Sequence, residues 1–239
     1  MRAIEKAAAV AILALSAWTI IMWAATRFQG NESNRILRVE LGADAVALNQ
    51  AVAANDSDGI AHNIRMVVRN TYMDYVFILL YWLTFASLAV LAVSMGERVL
   101  GVCAILLITA AAVTDLLENG AILTAMRVDV FTDAVAVDIS LFSEWKWSFF
   151  FLASLLLGLA FFLNRHVSSI RRLTGGLFIA SAVLGLIGIS QYRVFLDFSL
   201  WMINISMLLI VAALMITLWK LYQSLKELGH FGRLNHVHA

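Results

Sequence analysis

The chain contains no proline and a single cysteine among 239 residues. At ordinary usage of about 5%, roughly twelve prolines are expected in a chain of this length. Transmembrane helices use proline for kinks, and transporters often break helices beside the substrate. Its absence argues for straight helices and against a broken-helix transporter. One cysteine, Cys103, excludes an intramolecular disulfide and a cysteine-based metal cluster. Inside a long apolar run it reads as a small buried hydrophobe. Charge is also scarce, at 14% of residues, where soluble domains carry about 25%. The net charge is +1 and no basic tract occurs, which removes the electrostatic footprint of nucleic-acid binding. No phosphate-binding glycine loop, HExxH, GxSxG or serine–histidine–aspartate pattern is present.

What the chain does have is apolar length. Hydrophobic residues make up 62%, gathered into six blocks at residues 7–26, 72–95, 99–125, 145–164, 174–192 and 198–221. A helix of about twenty apolar residues crosses a hydrocarbon core of about 30 Å. The expected fold is therefore all-α, a polytopic membrane helix bundle of six transmembrane helices forming one integral membrane domain over residues 1–239. The first block is long and carries Trp18 and Trp23, so it is expected to be a retained helix and not a cleaved signal.

Lysine and arginine in short loops set orientation. Arg2, Lys6, Arg98, Arg165, Arg171, Arg172, Lys220, Lys226 and Arg233 fall on one side, against Glu5, Glu97 and Glu227. On the other side the arginines are diluted by many acids, among them Glu32, Glu40, Asp44 and Asp133. The expectation is a bacterial inner membrane protein with both termini cytoplasmic. The larger, outer side holds residues 31–70, expected as a helical cap. Ser33 would cap a helix carrying Ile36, Leu37, Leu41, Val46 and Leu48. After a break near Asn55 and Gly59, Ile60, Ile64 and Val67 resume helical spacing into the second span. Residues 127–143 are expected as a short helix or an extended loop over the same end.

Four ionisable residues stand in or beside the apolar blocks: Asp74, Asp115, Glu118 and Lys146. A charge at helix-centre depth costs roughly 2.5–3.5 kcal/mol on insertion scales. Helix direction brings all four to one depth range near the outer face, with Asp115 about 15 Å below the end of its helix. Asp115, Glu118 and Asn119 are spaced i,i+3 and i,i+4, so they share a helix face. Asn70 and Asp74 do the same on the second span, with Tyr81 two turns further in. Gln191, Tyr192 and Arg193 stand where they can close the cluster. A structural account competes: Lys146 snorkels, Tyr72, Trp145 and Trp147 anchor at the interface, and Asp74 meets a helix dipole. Thr109, Thr114, Asn204 and Ser206 read as interhelical hydrogen-bond partners, and Gly175, Gly176, Gly185 and Gly188 as points of close helix approach. His230, His236 and His238 read as a solvated tail.

The pattern Asn70-x-Tyr72-x-Asp74-x-x-Phe77-x-x-x-Tyr81, then Asp115-x-x-Glu118-Asn119-x-x-x-Leu123, then Lys146, resembles a group of small multi-pass bacterial membrane proteins of no assigned function. The resemblance covers spans two to four and implies no particular activity.

The leading functional expectation is an outward-facing site that binds or modifies a lipid headgroup or lipid-linked substrate. Whether it is an enzyme is left open. Asp115, Glu118 and Asp74 are the candidate catalytic carboxylates. Lys146, Asn119, Asn70, Tyr72 and Tyr81 are the candidate substrate contacts, with Lys146 on a phosphate. Asp115 and Glu118 are also the candidate ligands of a divalent cation. The expected partners are membrane lipids. The alternatives are a proton- or ion-coupled carrier and a non-catalytic partner or sensor with a structural ion network.

Overall fold

The computed structural model describes residues 2–27, 39–41, 44–53, 57–127, 132–164, 168–192 and 194–234. These are all-α, with no strand among the described residues. Seven helices are described: α1 (Arg2–Arg27), α2 (Ala45–Val52), α3 (Ser57–Ser94), α4 (Arg98–Ala125), α5 (Asp133–Leu163), α6 (Ser169–Gln191) and α7 (Leu196–Leu234). Six of them, all but α2, are long and apolar enough to cross a membrane. The protein is thus consistent with a multi-pass integral membrane protein.

Each long helix packs on its successor, and α7 returns against α1. Lipid chains are as apolar as leucine, so close van der Waals contact and interhelical hydrogen bonds, not water exclusion, hold such helices together. Small residues make that contact possible. A Cβ on Gly158 of α5 would lie 2.8 Å from the Gly175 carbonyl oxygen of α6. A Cβ on Gly175 would lie 2.7 Å from that of Gly158. At Gly185 a Cβ would collide with the Phe151 ring. Gly188 is merely tight, and Gly176 faces open space, so it does not serve the close approach expected of it.

The helix ends follow local rules. At the α3–α4 turn the Glu97 N–H bonds the Ala92 carbonyl and the Gly96 N–H bonds the Val93 carbonyl. Gly96 sits at φ +101°, the left-handed position this motif requires. At the other end of the bundle, Thr132 caps α5 by accepting from the Val135 N–H.

That other end carries the cap. α2 lies over α3 and α5, its Leu48 and Val52 buried with Val39, Val67, Ile122 and Ile139. The Asp133 carboxylate accepts from the Ala45 N–H at 2.9 Å. Asn63 Nδ2 donates to the Val52 and Ala53 carbonyls at 3.2 and 3.0 Å, satisfying the C-terminal end of α2. Val46 instead faces outward. Ser33, Ile36 and Leu37 of the expected outer helix lie outside the described residues, as do Arg193, His236 and His238.

Two helices begin earlier than their apolar runs. α3 starts at Ser57 and runs unbroken into its span, as expected from Ile60, Ile64 and Val67. α5 starts at Asp133, so residues 133–143 are neither a separate short helix nor an extended loop but the first turns of one long helix, and residues 128–131 of the expected segment lie outside the described residues. Cys103 is exposed on α4, against the expectation of burial. An evenly apolar helix gives no signal of which side faces inward.

Candidate functional site

The inward faces of α3, α4 and α5 explain how the polar residues meet. On α3, Asp74, Phe77, Tyr81 and Phe85 recur at helical spacing. On α4, Asp115, Glu118, Asn119 and Ile122 do, and on α5 Ser143, Lys146, Phe150 and Ala153. Lys146 lies nearly four turns into α5, about 20 Å from its start. The α5 start and the α4 end are at the same side of the bundle, so this depth sets Lys146 against the last two to three turns of α4.

Lys146 is the centre of the cluster. Its Nζ lies 3.2 Å from Asp115 Oδ1 and 3.1 Å from Glu40 Oε2, and it is ion-paired with Glu118 Oε2. Lys146, Asp115, Glu118 and Glu40 are all buried, Glu118 completely. The Lys146 ammonium also lies 5.2 Å from the Trp147 ring centre. Two hydrogen bonds extend the network across α3 and α4. The Tyr81 hydroxyl donates to Asp115 Oδ2 at 3.1 Å, and Asn119 Nδ2 donates to Asp74 Oδ2 at 2.9 Å. Asp74 is half-buried and has no ion pair among the described residues.

A cavity of about 170 Å³ opens on this network. Glu40, Asp74, Asp115 and Lys146 supply its charged wall. Phe77, Tyr81, Trp147 and Phe150 supply an aromatic wall, and Met207 of α7 closes it. A second cavity of about 270 Å³ shares Phe77, Tyr81, Phe150 and Met207 and continues between α1, α3 and α7. Its remaining lining is mostly aliphatic, including Leu15, Ile20, Ile210 and Leu214.

The structure therefore brings together Asp74, Asp115, Glu118, Asn119, Tyr81 and Lys146. Three expected members stand apart. Tyr72 is exposed and touches Tyr75, its ring 6.4 Å from that neighbour. Asn70 is buried outside the cavity, its Nδ2 without a hydrogen-bond partner among the described residues. Tyr192 donates to Glu144 Oε2 at 3.1 Å and does not line the cavity. Of the expected interhelical partners, Thr109 accepts from Trp82 Nε1 at 3.0 Å. Thr114 and Ser206 turn their hydroxyls onto their own helices, and Asn204 is exposed. Glu40, Trp147, Phe77, Phe150 and Met207 were not among the expected site residues. Glu40 arrives from the segment before α2, where the apolar spacing of Leu41 and Leu48 marks a helix but nothing singles out this acid as a partner of Lys146.

The anchor account does not fit Lys146 or Asp74. A snorkelling lysine puts its ammonium at the interface, whereas this one is enclosed by carboxylates. Asp74 lies more than four turns from the start of α3, beyond the reach of the helix-end dipole. Lys146 also differs from the free phosphate contact expected of it, because three carboxylates already surround it. The same geometry disfavours a divalent ion on Asp115 and Glu118. The ammonium occupies the place between their oxygens, and among the described residues no group of three or more His, Cys, Asp or Glu side chains is set to hold a metal.

The chain matches no protein-family model, no curated protein and no solved structure.

Proposed function

We propose that this protein binds a membrane amphiphile, a lipid or lipid-linked molecule, from the extracytoplasmic leaflet of a bacterial inner membrane. The head sits in the charged cavity and the chain in the apolar one. One observation carries this reading: the two cavities share a wall of Phe77, Tyr81, Phe150 and Met207, so polar and apolar space adjoin at one depth. A ligand site is typically an apolar concavity with a few convergent polar groups. Here the convergent groups lie under the cap and the apolar part runs along the helices, as an amphiphile requires.

The bias of lysine and arginine supports the outward placement. It gives the α3–α4 turn and the α5–α6 connection to the cytoplasm and the cap to the outside. A carrier needs polar groups beyond the site. On the far side of Tyr81 the buried face of α3 continues as Thr84, whose hydroxyl donates to the Leu80 carbonyl of its own helix, then Phe85, Leu88, Ala89 and Ala92, and that of α4 as Ile108 and Ala104. That stretch, which holds no ionisable side chain, favours binding at one leaflet over passage across the membrane.

Native mass spectrometry of protein extracted in a non-ionic maltoside tests the reading. Wild type is expected to retain a lipid-like adduct, and Met207→Trp, which fills the shared wall, to lose it. Wild type without an adduct, or an equal adduct on a folded Met207→Trp variant, contradicts it.

A further inference from the structure

We infer that the head this pocket selects is cationic, an alkylammonium or amine, held by Asp74 and the aromatic wall; this rests on the amphiphile reading above. The first support is charge balance. Among the described residues, Glu40, Asp74, Asp115 and Glu118 bring four carboxyl groups to one lysine. Glu40, Asp115 and Glu118 all crowd that ammonium, while Asp74 has an amide partner, Asn119, and no ion pair among the described residues. An anionic head such as a phosphate would enter among carboxyl groups that outnumber the described ammonium, which three of them already surround. A neutral hydroxyl would leave the excess of carboxyl groups without a cation.

The second support is independent of charge count. The rings of Phe77, Tyr81, Phe150 and Trp147 form a continuous set. Phe77 and Tyr81 are 5.5 Å apart, Tyr81 and Phe150 5.7 Å, and Phe150 and Trp147 6.1 Å between centres. All four line the cavity that Asp74 enters. Aromatic faces attract cations, most strongly where water is excluded, and they recognise quaternary ammonium groups that form no hydrogen bonds. A proton on a carboxyl would relieve the charge without using either the rings or the space. A cationic head uses the carboxylate, the rings and the volume together, and its alkyl chain leads through the shared wall into the apolar cavity.

The source of such a head is chemically open between a simple alkylamine and a zwitterionic lipid whose amine enters the cavity while its phosphate stays outside. Photolabelling separates these cases. Three diazirine-bearing alkyl probes of equal chain length, with amine, hydroxyl and carboxylate heads, are applied to the full chain in vesicles of anionic phosphatidylglycerol. Labelled positions are read by peptide mass spectrometry. The amine probe is expected to label the Met207 and Ile210 region at least about tenfold more than the other two, a difference in the range of one desolvated cation–aromatic contact. Competition by phosphatidylethanolamine would place the zwitterionic lipid in the cavity, and its absence the simple amine; both outcomes support a cationic head. Asp74→Asn keeps the Lys146 pairs intact and is expected to abolish the amine preference while hydroxyl-probe labelling persists. Equal labelling by all three probes overturns the cationic head and leaves the amphiphile reading standing. Labelling by none of them overturns both.

Discussion

Lys146 holds the site together, and its removal exposes how. Lys146→Met leaves Glu40, Asp115 and Glu118 buried without their cation. Removing one partner of a buried ion network costs about 3–5 kcal/mol. The expected result is a lower unfolding midpoint in mixed detergent, partly restored when Glu118→Gln is added, because one uncompensated carboxylate goes with it. Additive losses in the double variant would show that the two side chains are not coupled. At this scale the sequence was uneven in what it disclosed. Asp115, Glu118 and Asn119 were legible because helical spacing alone sets them on one face. Tyr72 and Asp74 differ by two positions, which turns them about 200° apart on a helix; one is exposed and the other reaches the cavity. Trp145 and Trp147 split in the same way, the first exposed and the second lining the cavity. Adjacent aromatics in an apolar run look alike as letters, and only the packing partner decides which turns inward.

At the scale of elements, the α5–α6 crossing is where the fold has least tolerance. Gly158 and Gly175 face each other's carbonyl oxygens, so neither position has room for a Cβ. Gly175→Val is expected to force the two helices apart and to lower thermal stability by about 1–3 kcal/mol, the usual range for overpacking. Gly176→Ala, facing open space next door, is the matched control and is expected to change little. Parallel thermal melts of the two variants check this. The number and order of the spans were legible from apolar length. The cap ends were less so. α5 begins twelve residues before the apolar run expected at residue 145, since its first turns, Asp133 to Glu144, mix polar and apolar residues and carry no long hydrophobic signal. Glu40 was visible only as one acid among many on the outer side. Its contact with Lys146 is a long-range pairing between residues 106 positions apart, which no local spacing records.

For the whole molecule, orientation decides which leaflet the proposed site faces. In a Cys103→Ser background, Asp58→Cys lies at the start of α3 at the cap end, and Ser168→Cys precedes α6 at the opposite end. A membrane-impermeant maleimide added to intact cells is expected to label the first, and to reach the second only after permeabilisation. The reverse pattern would place the site at the cytoplasmic leaflet. The central claim, that one amphiphile spans both cavities, is tested most directly by a double-variant cycle read as retained ligand in native mass spectrometry. Asp74→Asn lesions the charged cavity and Met207→Trp the wall it shares with the apolar one. A single spanning ligand predicts that each substitution alone removes most of the adduct and that the double variant is no worse than either. Two separate adducts, each lost with only one of the substitutions, would contradict it.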